Sequence, residues 1–318
     1  MNHHPNSPYQ IELLKHRNNR LPSTLEVEPA SLIEQGKYSI IIQTTETDLI
    51  NKIEKIPAWT SNVRVLDWSA EPNTPGINSF NPIDPSVIPD RQHDYLGAIA
   101  DLLIPCDESR IDNYFNQVSN TMLVGFLTYI IHKISVRGDY TGLPNAFLDL
   151  PASLPLLTCF LQNGLTPSTG DSAALDTHHS EWLSEQASFA RLAKYPAPAI
   201  NAFEQLAQTP RRQADALLSI ILSALAPFGM SPLSHHMKTT HFNISQLVKR
   251  VSRAPIPTTL LVKHNPNDCA ATKVASDLLF TYIDWTFSQP PTDENQTQEF
   301  ELLRILPYTQ VPQVAAAE

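Results

Sequence analysis

One stretch of this sequence approaches the pattern of a phosphate-binding loop. Residues 164–172 have the sequence GLTPSTGDS, with two glycines before a polar segment. A phosphate loop needs glycines so that backbone N–H groups converge on the anion, and a lysine whose ammonium reaches the outer phosphates. Here the glycines are one residue too far apart, and Asp171 stands where the lysine is needed. A carboxylate repels phosphate, so we interpret this stretch as a connector between helices.

Paired histidines are the second feature with the residue types of a chemical site. They are His178–His179, and His235–His236 with His241 nearby. Adjacent histidines point to different faces of a helix or strand, so one pair rarely gives two ligands to one metal ion. The three cysteines are far apart, without the spacing of a zinc site or a disulfide framework. We therefore predict exposed histidines, no bound metal and a reducing compartment.

Asp67 and a nearby turn are the remaining candidates. Asp67 follows an apolar run, and a polar side chain at the carboxyl end of a strand often serves function in an α/β sheet. The alternative is that Asp67 only caps the next turn. Asn81, Pro82 and Asp84 are turn formers by their own chemistry.

The composition is that of a globular protein with an acidic balance. Apolar residues make up 42% of the chain, which is enough for a sizeable core. Lys and Arg total 22 and Asp and Glu total 32, so the formal net charge is −10. A net negative field repels phosphate, so the charge does not support direct DNA binding. The chain lacks a signal-peptide pattern, and its most apolar stretch, residues 122–131, is too short to span a bilayer. We expect a soluble, cytoplasmic protein without a transmembrane segment.

Short apolar runs predict the strands of a parallel sheet. Residues 38–43 (YSIIIQ) are apolar and β-branched, as in a strand that is buried on both faces. Residues 46–56 have helical spacing, and residues 62–68 (NVRVLDW) have the pattern of the next strand, which together predict a βαβ unit. Two further strands are predicted near the end of the chain, at residues 257–263 and 299–306.

The middle of the chain has the pattern of an all-α domain. A proline-rich connector covers residues 69–92, and apolar residues then recur every three or four positions over residues 94–228. The sequence therefore predicts an α/β protein whose parallel sheet is interrupted by an inserted all-α domain. The predicted parts are an N-terminal segment 1–21 that is irregular apart from the short stretch Ile11–Leu14, a discontinuous α/β domain over 22–93 and 229–312, the inserted domain 94–228, and a tail 313–318.

Three motifs, taken in order, resemble the TraG/TraD coupling proteins of type IV secretion and conjugation. The first is VRVLDW (63–68) followed by SFNPID (79–84). The second is the helix LLSIILSALAPF (217–228). The third is HFNISQLV (241–248) leading into PIPTTLLV (255–262).

Coupling proteins are membrane-anchored hexameric ATPases with a RecA-like sheet of the P-loop NTPase type and an inserted all-α domain. The resemblance implies this fold over residues 22–312. It also implies that the loop after the second strand contacts neighbouring subunits. The residues that match the motif of this loop are Asp67, Phe80, Asn81, Pro82 and Asp84.

The departures from the family fall on the nucleotide site. The resemblance places the end of the phosphate loop at Pro22, Ser23 and Thr24, but residues 16–23 (HRNNRLPS) contain no glycine, and Pro22 stands where the family has lysine. Proline offers neither an N–H group nor a charge. The apolar strand at residues 302–306 is followed by Pro307 rather than the acidic pair that holds magnesium in the family. The sequence therefore predicts no catalytic residues and no nucleotide or metal cofactor.

The leading hypothesis is a catalytically inactive, coupling-protein-like accessory or interaction subunit. Its predicted partners are proteins of a secretion or conjugation machine, including a full-length coupling ATPase, and its predicted location is the cytoplasm, peripheral to an inner-membrane complex. One alternative is an active ATP-dependent transfer motor with a rearranged nucleotide site. Another is a truncated remnant of such a motor.

Overall fold

Three consecutive isoleucines form the centre of a β-sheet. They lie in strand β3 (Ser39–Thr44), and every residue of this strand is buried. Ile40, Ile41 and Ile42 are fully inaccessible to solvent. β-Branched side chains fit a pleated surface well, and a strand buried on both faces tolerates an unbroken apolar run. The strand predicted at residues 38–43 is therefore confirmed, shifted by one residue.

The computed structural model describes eleven stretches of the chain. These are residues 9–14, 21–22, 29–36, 38–58, 61–85, 92–106, 113–166, 175–241, 256–263, 270–288 and 302–307. The chain divides into two compact units. Unit 1 comprises Met1–Asn78, Phe242–Cys269 and Ile283–Glu318, and unit 2 comprises Ser79–His241 and Ala270–Tyr282.

Unit 1 contains a seven-stranded sheet with the order β2-β1-β7-β3-β6-β4-β5. The strands other than β3 are β1 (Tyr9–Leu14), β2 (Leu21–Pro22), β4 (Asn62–Asp67), β5 (Ile77–Asn78), β6 (Thr258–Lys263) and β7 (Leu302–Pro307). The five strands from β7 to β5 are parallel to one another. The α/β class with a parallel sheet is therefore confirmed.

Helix α2 (Thr47–Glu54) connects β3 to β4, and β6 lies between these two strands. A shorter helix, α1 (Pro29–Glu34), precedes β3. Leu49 and Ile53 of α2 pack in one apolar cluster with Ile40 and Ile42 of the sheet. The helix thus covers the sheet with the apolar face that its spacing predicts.

Strand β1 corrects the prediction of an irregular N-terminal segment over residues 1–21. Tyr9–Leu14 pairs antiparallel with β7 in continuous register, from Tyr9 opposite Pro307 to Leu14 opposite Leu302. The backbone groups of this stretch are satisfied by a strand nearly 300 residues away in sequence. Local composition carries no information about such a distant partner, so the irregular segment was the wrong prediction for these residues.

Unit 2 is helical in every described element from residue 92 to residue 236. Its α-helices are α3 (Gln92–Leu103), α4 (Tyr114–Ile131), α5 (Leu154–Leu165), α6 (Leu175–Leu192), α7 (Ala197–Gln208), α8 (Arg211–Leu225) and α9 (Leu233–His236). A π-helical segment (His132–Val136) extends α4, and 3-10 turns lie at Asn145–Phe147 and Ala226–Gly229. A last helix, α10 (Ala270–Ser288), begins in unit 2 and ends in unit 1.

Helix α4 is the centre of the unit 2 core. Its aromatic side chains meet Phe203 of α7, with ring centroids 4.8 Å apart for Phe126 and 4.6 Å apart for Tyr129. Gly125 lets the two helices approach this closely, because a Cβ there would lie 2.4 Å from Cβ of Ala202. Such tilted aromatic pairs contribute beyond their buried area, so this contact anchors the helical unit.

In the parts of the chain that the structure describes, no helix combines the length and the apolar character needed to cross a bilayer.

Candidate functional site

Ligands of open α/β sheets bind at the edge formed by the carboxyl ends of the parallel strands. The register places Thr44 of β3 and Asp67 of β4 on either side of Lys263 of β6. Three polar side chains therefore end three adjacent strands. Asp67 is the candidate that the sequence predicts at this edge.

The polar side chains at this edge hold their own chain together. Thr44 Oγ1 accepts a hydrogen bond from the backbone N–H of Glu46 at 3.0 Å, where α2 begins. Lys263 Nζ lies 2.7 Å from Oε1 of Glu54 on α2. Asp67 Oδ1 accepts from both the backbone N–H of Ser69, at 3.1 Å, and its hydroxyl, at 2.8 Å. Each of these side chains therefore forms either a local turn or an ion pair with a neighbouring segment.

Asp67 therefore acts as the cap of the turn that follows β4. Asp67→Ala should lower the free energy of unfolding by about 1 kcal/mol, because the Ser69 N–H loses its acceptor. Asp67→Asn keeps an acceptor oxygen in the same place and should retain most of this stability. Urea unfolding of the three proteins measures both values. Equal losses for Ala and Asn would contradict the capping role and point to a need for the charge.

The position of the predicted phosphate-loop remnant is only partly described. Pro22 lies in β2, which pairs antiparallel with β1 so that Pro22 is opposite Glu12. Ser23 and Thr24 lie outside the described residues. A phosphate loop joins a strand to the N-terminus of a helix, whose free N–H groups face the anion. At Pro22 the chain instead returns along its own preceding strand.

The loop Ser79–Asp84 is built into the interior of unit 2. Phe80, Asn81 and Ile83 are fully buried. The Asn81 Nδ2 group donates to the carbonyl oxygens of Ala152, at 2.7 Å, and Lys238, at 3.4 Å. Asn81 Oδ1 accepts from the backbone N–H of Ile83 at 3.1 Å, which closes the turn. One side chain thus forms the turn and also joins it to two distant segments.

The backbone of this loop is tied to the end of the helical segment. The N–H of Ser79 donates to His241 Nδ1 at 3.3 Å, and the N–H of His241 donates to the Ser79 carbonyl at 3.0 Å. The N–H of Phe80 donates to the carbonyl of His236 at 3.0 Å. The first and last residues of the long segment of unit 2 are therefore hydrogen-bonded to each other.

Pro82 and Asp84 complete this arrangement. The Pro82 carbonyl accepts from the hydroxyl of Tyr95 at 2.8 Å, and the N–H of Asp84 donates to the Asn81 carbonyl at 3.2 Å. Burial raises the pKa of Tyr95 well above its ordinary value, with the neighbouring Tyr282 adding to this effect, so its hydroxyl stays a donor. The turn chemistry that the sequence indicates is present. A contact of this loop with other subunits stays a prediction.

The histidine pairs have structural partners. His178 and His179 place Nε2 3.1 Å and 2.7 Å from the carbonyl oxygens of Gly164 and Leu165, where α5 ends. The prediction that these histidines are exposed holds for His241. His178, His179 and His235 are half-buried, and the prediction is wrong for His236, which is buried and whose backbone carbonyl accepts from the N–H of Phe80. Among the described residues, no group of three or more His, Cys, Asp and Glu side chains is placed to hold a metal ion.

Unit 2 contains a cavity that the sequence does not indicate. A cavity of about 520 Å³ lies beside the π-helical segment that follows α4, and Lys133, Phe160, Trp182 and Phe189 line it. These residues come from three helical segments that are far apart in sequence. Their periodicity predicts only buried helix faces, so no local signal would have shown a cavity.

Comparison with known proteins gives matches in structure only. No protein-family profile matches the chain, and no curated protein matches it in sequence. The plasmid coupling protein TrwB in complex with ADP and Mg²⁺ is 12% identical, over 83% of this chain and 55% of that chain, with a TM-score of 0.38. The TrwB complex with the non-hydrolysable GTP analogue GDPNP is 13% identical, over 84% and 56%, with a TM-score of 0.36.

A third match is the bacterial conjugative coupling protein TrwBdeltaN70 in its trigonal form with sulphate. It is 12% identical, over 82% of this chain and 55% of that chain, with a TM-score of 0.39. This chain thus spans about half the length of the coupling-protein structures that it matches. The α/β class rests on the strand order and strand directions of the chain's own sheet.

Proposed function

We propose that this chain is a catalytically inactive relative of the TraG/TraD coupling proteins. In this proposal it serves as an accessory or interaction subunit of a type IV secretion or conjugative transfer system. The ordered motifs at residues 63–84, 217–228 and 241–262 support the relationship. The parallel sheet and the helical unit supply the two kinds of structure that such a relative needs.

The observation that carries the loss of activity is the antiparallel pairing of Glu12 with Pro22. A triphosphate cradle requires a strand, a glycine-rich turn and a helix N-terminus in direct succession. In this chain Pro22 lies in the two-residue strand β2, which pairs antiparallel with β1, and proline has no N–H group to offer. β7 ends at Pro307, where the family holds magnesium with acidic side chains. Both halves of the nucleotide site therefore lack their essential groups.

The proposed organisation follows from the same relationship. In this proposal the helical unit is an insertion in a discontinuous α/β domain. The sequence predicts the insertion at residues 94–228, the α/β domain at 22–93 and 229–312 and a tail at 313–318, whereas the long segment of the compact helical unit runs from Ser79 to His241. The partners are proteins of the transfer machine, including a full-length coupling ATPase, and the protein works in the cytoplasm beside an inner-membrane complex. Its net charge of −10 favours protein partners over direct contact with DNA.

Nucleotide binding tests the proposal directly. The purified protein, titrated with a fluorescent ATP analogue and Mg²⁺, should show no saturable binding up to about 1 mM nucleotide, which corresponds to about −4 kcal/mol. A protein in which residues 20–24 are replaced by alanine should behave identically, since these residues no longer contact phosphate. The unlabelled competitor ATP serves as the control for binding of the fluorophore itself.

Two results would contradict the proposal. Micromolar binding that is lost on replacing residues 20–24 would show a working phosphate site at the position we consider inactive. Micromolar binding that survives this replacement, with hydrolysis stimulated by single-stranded DNA, would show a rearranged site and favour the transfer motor. In either case, a steady rate of ATP hydrolysis above that of the protein-free control is enough to contradict catalytic inactivity.

A further inference from the structure

The cavity in unit 2 has the size and lining of a small-ligand site. Its volume of about 520 Å³ falls in the range of ligand pockets in proteins. The aromatic rings of Phe160, Trp182 and Phe189 contribute to the lining. Phe189 is 40% exposed, so an apolar ring faces solvent at the edge of the cavity.

The chain already places one organic cation in this cavity. Lys133 belongs to the π-helical segment, and its side chain is only 4% exposed. Its ammonium lies 5.3 Å from the ring centroid of Phe189 and 5.9 Å from that of Phe160, and 2.5 Å from Oδ2 of Asp139. A cation above aromatic rings is attracted by their negative faces. The lining can therefore bind an ammonium group.

The charge of Asp139 is held by its surroundings. Burial alone raises the pKa of this carboxyl, but hydrogen bonds from Lys133 and Thr141 outweigh it and leave the pKa below its ordinary value. The carboxylate is thus ionised at neutral pH and neutralises Lys133. Because Asp139 neutralises Lys133, this ion pair adds no net positive charge to the rest of the cavity.

Two groups at the cavity favour a second positive charge, the Glu185 carboxylate and the C-terminal end of α5. Glu185 lines the cavity on α6, and none of the described residues forms an ion pair or hydrogen bond with its carboxylate. Gly164 and Thr166 line it at the C-terminal end of α5, where the helix dipole is negative. His178 also lines the cavity, and its Nε2 lies 3.1 Å from the Gly164 carbonyl oxygen. Trp182 packs tightly against this end, since a Cβ at Gly164 would lie 2.0 Å from its ring. The Glu185 carboxylate and the C-terminal end of α5 both repel an anion.

We propose that this cavity binds an organic cation, a guanidinium or ammonium group on an apolar stem. The charged group faces Glu185 and the end of α5, and the stem lies against Trp182 and Phe189. Guanidinium suits the site best, because its planar, weakly hydrated group stacks on aromatic rings. The site lies within unit 2 and does not depend on the state of the nucleotide site.

Three probes test the chemistry of the ligand: agmatine, N-acetyl-arginine amide and its neutral isostere N-acetyl-citrulline amide. The indole N–H resonance of Trp182, assigned by its loss in Trp182→Phe, reports occupancy in an NMR titration. The two cations should shift this resonance saturably, and citrulline amide should not. Equal binding of the neutral isostere would overturn the proposal.

Charge variants supply the second arm. Glu185→Gln should weaken cation binding about fivefold, the upper range for one exposed charge pair, and Glu181→Gln is the matched control. Glu181 is exposed on the same helix outside the cavity and should leave binding unchanged. Lys133→Met leaves the Asp139 carboxylate without its partner, so it should strengthen binding of the added cation. Glu185→Gln without effect, or an anion such as acetate whose binding disappears in Lys133→Met, would overturn the proposal.

The same titration identifies the source of the cation. Agmatine that binds as tightly as the arginine amide indicates a free small molecule. Binding of the arginine amide alone indicates an arginine side chain presented by another protein. Both results support the site, and they differ only in what carries the guanidinium.

Discussion

Gly125→Ala is expected to lower the free energy of unfolding by about 3 kcal/mol, at the upper end of the usual cost of overpacking a core. The new Cβ would lie 2.4 Å from Cβ of Ala202 and 2.5 Å from the carbonyl oxygen of Pro198. Neither atom can rotate away, so α7 must move from α4. This movement loosens the contact between Phe126 and Phe203. Urea unfolding followed by far-UV circular dichroism measures the loss.

Gly97→Ala is the matched control for this prediction. Gly97 also lies inside a helix, α3, but a Cβ there would meet no heavy atom within 4 Å. Alanine has the higher helix propensity, so this variant should be more stable than the natural protein by up to about 1 kcal/mol. The same substitution should therefore act with opposite signs at the two positions. Similar effects of both variants would contradict the close packing of α4 on α7.

Asn81→Ala should lower the free energy of unfolding by about 2–3 kcal/mol, because it leaves buried polar groups unsatisfied. The carbonyl oxygen of Ala152 loses its donor, and the N–H of Ile83 loses its acceptor. Both of these residues are fully buried, so water does not replace the missing partners. The same urea titration measures this loss.

Two further variants separate the roles of Asn81. Asn81→Asp keeps the acceptor that closes the turn but replaces the donor that reaches Ala152, so it should be at least as unstable as the alanine variant. If aspartate instead restores stability, the turn alone accounts for this residue. Asn145→Ala makes the same chemical change at an exposed position and should stay within about 0.5 kcal/mol of the natural protein.

The two Asn81 variants also show where prediction from sequence reaches its limit. The sequence indicates that Asn81, Pro82 and Asp84 form a turn, because that preference is a property of the residues themselves. It does not indicate that the Asn81 amide reaches Ala152, a residue 71 positions away. A hydrogen bond of this kind depends on the path of the whole helical segment between the two residues.

The strands and helices show the same difference between what local residue preference predicts and what distant contacts decide. β3, β4 and β6 lie where apolar runs predict them, because burial on a sheet selects β-branched side chains locally. β1 was missed, because its mixed composition gains strand structure only by pairing with β7. Gly125 likewise has no local signature of its close contact with Ala202.

For the candidate sites too, some features are visible in the sequence and others require the folded backbone. The absence of glycine and lysine from residues 16–24 is visible in the sequence, since phosphate binding needs those residue types wherever they are placed. That Pro22 lies in an antiparallel pair, and that Asp67 caps a turn, required the backbone path. The cavity around Lys133 required the packing of three helical segments.

The sequence by itself determined the α/β class, the positions of the apolar elements and the absence of glycine and lysine from residues 16–24. Each of these follows from local spacing or from the chemistry of single side chains. Only the tertiary structure decided strand β1, the internal role of Asn81 and the cavity beside Lys133. These depend on contacts between segments far apart in the chain, and loop closure and packing, not local preference, select them.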